Sequence, residues 1–204
     1  MAERRSGPPE IESTIRNEDW YGRELDGVEY TRVEFIGLDL TEATTTAATF
    51  TECVFRNVKF NVSEHTESAF VNCRFVRCNF FDSTFRRCKL TGSSFDDCEF
   101  GLFTVDGGNW SFTDFSRAGL TRADFTGVRM READLSRALC AEATFVGCDL
   151  SASWFDGADF SRATLRGSDL TGLDPSTVRL EGATVDERQA VALVEAMGLV
   201  VVPA

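Results

Sequence analysis

From Leu25 to Leu170 every fifth residue is large and apolar, with two exceptions. The series runs Leu25, Tyr30, Phe35, Leu40, Thr45, Phe50, Phe55, Phe60, His65, Phe70 and onward to Phe155, Phe160, Leu165 and Leu170. Only Thr45 and His65 are polar among its thirty sites, which hold fifteen of the chain's eighteen Phe residues. Two places before each large residue there is usually a small one, such as Ala43, Ala48, Cys53, Cys73, Cys78, Ala123, Ala133 or Ala163. A five-residue period suits neither regular element. An α-helix turns about 100° per residue, so the mark would wander around its surface. In a straight strand an odd period would send alternate Phe residues to opposite faces. The pattern resolves if the chain bends once per unit. The small and large residues then share an inner face, the residue between them points outward, and the next two turn a corner. Those corner pairs (Thr121-Arg122, Thr126-Gly127, Ser161-Arg162, Thr171-Gly172) are polar or glycine, as exposed tight turns require.

A chain that turns the same way every five residues winds into a solenoid whose parallel coils satisfy one another's backbone. Column behaviour favours four sides per coil. Thr45, His65 and the undersized Val105 are separated by multiples of twenty, and positions 35, 55, 75, 95 and 115 are all Phe. About eight coils at roughly 4.8 Å each predict a rod of about 38 Å.

The units Ala123–Gly127 (ADFTG), Ala133–Arg137 (ADLSR), Ala158–Arg162 (ADFSR) and Ser168–Gly172 (SDLTG) are similar to the consensus of the pentapeptide-repeat family. That resemblance implies an all-β solenoid, a right-handed quadrilateral parallel β-helix, to which the last residues add a short C-terminal helix and strand. The expected layout is a disordered tail over 1–17, a β-helix over 18–183 and a capping or dimerisation segment over 184–204. Within the tail, Met1 to about Ser13 is polar and carries Pro8-Pro9, while Trp20, Tyr21 and Leu25 are placed to cover the first coil. At the other end Asp186 is a good N-cap, Ala190, Leu193, Val194 and Met197 follow helical spacing, and Gly198 ends the helix. Leu199–Val202 reads as an apolar strand. This end has two readings: a monomer cap, or a twofold interface through Ala190, Leu193, Val194, Met197, Leu199 and Val201.

Charge adds a second layer. The net charge is −12, from 33 acids against 21 bases. Glu10–Glu42 holds ten acids and three bases, and Leu90–Ser116 five acids and no base, whereas Arg56–Lys89 holds seven bases against three acids. The chain therefore reads as an acidic rod with a basic girdle, a balance that disfavours direct nucleic-acid binding. Asp114, Asp124, Asp134, Asp149, Asp159 and Asp169 lie at the outward position of their units. Either they solvate the surface, or they imitate DNA phosphates, which run at one charge per roughly 1.7 Å of duplex. Phe81, Leu102, Phe112 and Trp154 are off both inner positions and are candidate partner contacts.

The loop-free repeat and the ending from Val185 to Leu199 resemble the actinobacterial MfpA and Qnr-like proteins. The resemblance implies a dimeric, non-catalytic DNA mimic acting on DNA gyrase or topoisomerase IV and protecting it from poisons. The projecting loops of Qnr-type proteins have no counterpart, because the register does not slip. The alternative is an acidic scaffold for an unrelated partner. Catalysis is not expected: the only histidine, His65, is at a core position, where it marks a distorted coil rather than a general base, and no phosphate loop or nucleophile elbow occurs. No cofactor is implied. Six of the seven cysteines fill small inner positions and Cys140 a large one, giving buried thiols rather than disulfides or a metal site. With no apolar leader in Met1–Gly22 and no run long enough to span a bilayer, a cytoplasmic location and no membrane partner are expected.

Overall fold

The computed structural model describes residues 9–202. The repeat winds into a four-faced solenoid in which residues twenty places apart pair from coil to coil. Three faces are parallel sheets. The first stacks Ser13–Arg16, Val33–Ile36, Val54–Arg56, Arg74–Val76 and Ser94–Asp96. The third runs through Glu24–Asp26, Thr44–Thr46, Glu64–Thr66, Thr84–Arg86, Thr104–Asp106, Asp124–Thr126 and Thr144–Val146. The fourth joins Glu29–Thr31, Thr49–Thr51 and Ala69–Val71. The second face is a ladder of single bridges, from Asp19 through Asp39, Lys59, Asn79, Glu99, Gly119, Leu139 and Asp159 to Arg179. Its eight steps at about 4.8 Å each correspond to about 38 Å, and the expected four-sided coil is observed.

The interior is a set of ladders. Phe35, Phe55, Phe75, Phe95 and Phe115 form one column, their successive rings stacked at 4.8, 4.9, 4.9 and 4.5 Å. Rings on neighbouring faces meet edge-on, as Phe55 does Phe60 and Phe75 does Phe80. Offset stacks along the axis with edge contacts across it suit the aromatic quadrupole, and a coil rise near 4.8 Å sets the stacking distance. Trp110 is fully buried, and Gly108 stands at the small position beside it, where a Cβ would lie 2.1 Å from the Cys88 carbonyl oxygen.

The corners share one geometry. Among the described residues, all twenty-two non-glycine positions with positive φ have numbers ending in 2 or 7, the second corner place of each unit. The left-handed backbone costs about 1–2 kcal/mol for an L-residue. What offsets it is a bond along the axis: Glu42 N–H donates to the Asn61 carbonyl at 2.9 Å and Val62 N–H to that of Phe81 at 2.8 Å.

Three expectations need correction. Residues 1–8 of the predicted tail lie outside the described residues, but Ser13–Arg16 is a strand in register with Val33–Ile36. Ile15 and Trp20 continue the series of large residues below Leu25, and Trp20 is buried while Tyr21 is exposed. The rod thus begins before residue 18, because a single coil partner suffices to hold a strand edge. Leu199–Val202 is not a strand: it pairs with nothing among the described residues and its side chains are exposed. His65 does not distort its coil. Glu64–Thr66 pairs in register on both sides, because hydroxyls supply the polar partners that the aromatic column lacks.

Candidate interaction surfaces

The six outward aspartates do not make one face. Asp114 and Asp134 stack on the first, Asp149 and Asp169 on the fourth, Asp124 lies on the third and Asp159 on the second. The reason is arithmetic: with twenty residues per coil, only positions twenty apart share a column. Carboxylate is thus distributed around the rod, with Asp114–Asp134 and Asp149–Asp169 stacked as pairs on two adjacent faces. Each of these side chains also serves its own corner. Oδ1 of Asp114, Asp134, Asp159 and Asp169 accepts from the backbone N–H two residues on at 2.9 Å. Asp149 accepts from both the backbone and the hydroxyl of Ser151, and Asp124 from the Thr126 hydroxyl at 2.9 Å. Hydrogen bonds from Ser161 and Thr171 hold the carboxyls of Asp159 and Asp169 below the usual aspartate range.

The basic girdle is largely neutralised. Arg56, Lys59, Arg74, Arg86 and Arg87 pair with Glu34, Asp39, Asp96, Glu64 and Glu67 at 2.8–3.2 Å. Arg77 donates to Asn57 at 2.9 Å instead. Partners sit twenty or twenty-two residues away, one coil up or down. Similar ladders run Glu12–Arg32–Glu52 and Arg122–Glu142–Arg162. Exposed pairs of this kind contribute about 0–1 kcal/mol each. Their main effect is to remove free cationic surface from the amino-terminal half.

The four candidate contact residues fall in two places, apart from exposed Tyr21, Leu139 and the carboxyl-terminal segment. Phe81 and Leu102, 46% and 56% exposed, share the corner between the second and third faces, where Val62 joins them. Phe112 lies on the corner leading into the first face, and Trp154 caps the Asp114–Asp134 column on that face, at 54% and 47% exposure. Val62 escaped the sequence reading because valine at a corner carries no signal until the coil length places it beside Phe81.

At the carboxyl end the helix Glu187–Ala196 docks through polar contacts. Asp186 caps it and also accepts from Gly167 N–H at 3.0 Å. Gln189, which the apolar spacing had passed over, is buried and donates to the carbonyls of Leu165 and Ser168 at 2.6 and 2.8 Å. These bonds satisfy the open edge of the last coil. Leu193 packs against the core, Val194 is half-buried, and Ala190, Met197, Leu199 and Val201 are exposed together with Val191, Val200 and Val202. Gly198, at φ +85°, ends the helix.

Among the described residues, the buried imidazole lies in a network of hydroxyls. His65 Nε2 is 3.0 Å from Ser63 Oγ and Nδ1 is 2.9 Å from Thr45 Oγ1, which also contacts Ser68 Oγ. Ser63 Oγ donates to the Phe60 carbonyl at 2.6 Å, so its single proton is used and His65 Nε2 must carry the ring proton. Burial pushes the imidazole pKa down to about 3 and the Cys88 thiol up to about 11. All seven cysteines are free, and among the described residues no helix is long and apolar enough to cross a membrane.

Among curated proteins none matches the sequence significantly. Residues 78–155 match the family described as a pentapeptide repeat region. Among solved structures, a trypsin-treated form of QnrB1, a plasmid-mediated fluoroquinolone resistance protein, aligns with 93% of this chain and 95% of its own. The TM-score is 0.83 at 21% identity. Full-length QnrB1 aligns with a TM-score of 0.60 at 21% identity, covering 93% and 99%. HetL, a pentapeptide repeat protein involved in heterocyst differentiation regulation in the cyanobacterium Nostoc, gives 0.44 at 16% identity, covering 83% and 87%. With its four-faced coils and aromatic ladders the chain is a parallel β-helix, similar in fold to QnrB1, and its residues 78–155 are similar to the pentapeptide repeat region.

Proposed function

We propose that this protein is a non-catalytic DNA mimic that binds DNA gyrase or topoisomerase IV in the cytoplasm and protects it from topoisomerase poisons. The observation that carries the reading is a narrow, loop-free rod with carboxylates projecting from all four faces. Residues 19–179, which span about 38 Å, hold 25 acids against 17 bases, a net charge of −8 or roughly one charge per 5 Å, about a third of the charge density of duplex DNA. A duplex-binding protein offers a basic groove that receives its ligand from several sides, so charge distributed around a rod suits that groove as well as a single face would. The likeness to a fluoroquinolone resistance protein supports the same reading. A homodimer through the carboxyl-terminal segment belongs to the proposal, since exposed Met197 and Leu199–Val202 leave apolar surface that a second copy would cover.

One observation favours the scaffold reading: every one of the six aspartates accepts a hydrogen bond at its own corner, so folding alone gives it a use. The test changes all six to Asn, which keeps Oδ1 as acceptor and removes the charge. The parent protein is expected to reduce fluoroquinolone-stabilised cleavage by purified gyrase, and the six-Asn protein to fold normally without that effect. An undiminished effect from the six-Asn protein sinks the mimic. The scaffold reading is recognised by a larger response to Trp154→Ala.

A further inference from the structure

Val62, Phe81 and Leu102 form an apolar stripe along one corner of the rod, and its backbone is not where such residues prefer to be. Val62 and Leu102 both stand at φ +56°, in the left-handed corner position. The same column carries Gly22, Glu42, Asp82, Arg122, Glu142, Arg162 and Gly182, so polar residues and glycine fill this corner elsewhere. For a β-branched valine the left-handed region is a true outlier, and strain retained at an exposed position points to use. The Phe81 ring lies along the axis over Gly101, where an added Cβ would meet Cδ2 at 2.9 Å, so glycine keeps the ring flat against the next coil. Beside it, Asn61 Oδ1 is buried with no hydrogen-bond partner, although Asn61 Nδ2 reaches Asn79 Oδ1 at 3.3 Å. In the isolated rod this corner is therefore apolar, strained and under-satisfied.

The rim is anionic. Glu42 and Asp82 interleave with the stripe, and Glu99 stands beside it, held by Asn79 Nδ2 at 2.6 Å. Lys59 and Arg122, the cations bounding this stretch, are already paired with Asp39 at 3.0 Å and Glu142 at 2.7 Å. We infer that this corner docks an apolar patch fringed with Lys or Arg on a protein partner. A second copy of the chain is a poor occupant, because corner-to-corner contact would set Glu42, Asp82 and Glu99 against like charges. The inference rests on the topoisomerase reading, to which it adds an apolar anchor. Carboxylates alone give attraction that salt screens over roughly 8–10 Å, whereas buried aromatic and aliphatic anchors fix register and slow release.

The test replaces the stripe with residues its own columns accept: Val62→Asn and Leu102→Asn, since Asn tolerates the left-handed backbone, and Phe81→Thr, matching Thr41 and Thr121. Association with purified DNA gyrase is measured for the parent and the triple variant at 0.1 and 0.3 M salt, with thermal melts as a folding control. The variant is expected to melt no lower than the parent and to bind roughly ten- to thirtyfold more weakly, with an unchanged salt slope. A triple variant that binds like the parent overturns the inference and leaves the topoisomerase reading standing. A parent that shows no association overturns both. A stripe that mediates only self-association, detected as loss of dimer in the variant with gyrase binding intact, also overturns it.

Discussion

Lowering the pH from 8 to 5 should destabilise this protein through one residue, and the size of the effect follows from where that residue sits. His65 is fully buried in an aromatic column, 4.3 Å from the Phe85 ring centroid, and burial holds its pKa down to about 3, against 6.5 for a solvated imidazole. The folded state thus refuses a proton that the unfolded chain accepts. Above pH 6.5 both states are neutral and nothing is lost. As the pH falls from 6.5 toward 3 the unfolded state is progressively favoured, to a total of about 5 kcal/mol at 1.36 kcal/mol per unit. At pH 5 the loss should be of order 2 kcal/mol, still above the range in which the carboxylates titrate. His65→Phe removes the titration and continues the Phe ladder, while Ser63 still donates to Phe60 and the Thr45 hydroxyl, released from Nδ1, is free to donate to Ser68. Urea unfolding at pH 8, 7, 6 and 5 is the assay, with the parent losing stability and the variant staying level. Because this is the chain's only histidine, its NMR resonances are assigned without ambiguity. A His65 titration midpoint near 6.5 in the folded protein, or equal pH dependence in parent and variant, would refute the reasoning.

Two further outcomes test the fold and its end. Phe95→Ala, which removes a ring stacked at 4.9 Å on Phe75 and 4.5 Å on Phe115, should cost about 3–5 kcal/mol in denaturant unfolding, and a harmless substitution would end the ladder account. Deleting residues 186–204 should give a monomer or an aggregate by sedimentation, since it removes the Gln189 bonds to Leu165 and Ser168 along with the exposed apolar tail; a full-length chain that sediments as a monomer at micromolar concentration would refute the dimer.

What the sequence disclosed and what it concealed divide on one physical line. Phe35, Phe55, Phe75 and Phe95 were legible because burial is a property of each five-residue unit, decided locally by which side of a bend the residue occupies. The polar and glycine corner pairs were legible for the same reason, but their left-handed backbone was not, since twenty-two of those positions carry residues other than glycine. Charge was misread when taken in contiguous stretches. Arg56 to Lys89 looks basic along the chain, yet Arg56 meets Glu34 and Arg74 meets Asp96, each twenty-two residues away, while Lys59 meets Asp39 at a distance of twenty. In a solenoid the electrostatic neighbour of a residue lies on the next coil, so a charge window shorter than one coil counts the wrong partners. The same geometry scattered six regularly spaced aspartates over four faces and gathered Val62, Phe81 and Leu102 onto one corner. Leu199–Val202 failed differently. Its apolar, β-branched composition describes what a strand would bury, but a strand also needs a neighbour to take its hydrogen bonds, and the last coil's open edge is already closed by Gln189 and Asp186. The tail is therefore apolar surface without an edge to join, and a second copy of the chain is where the proposed dimer would supply one.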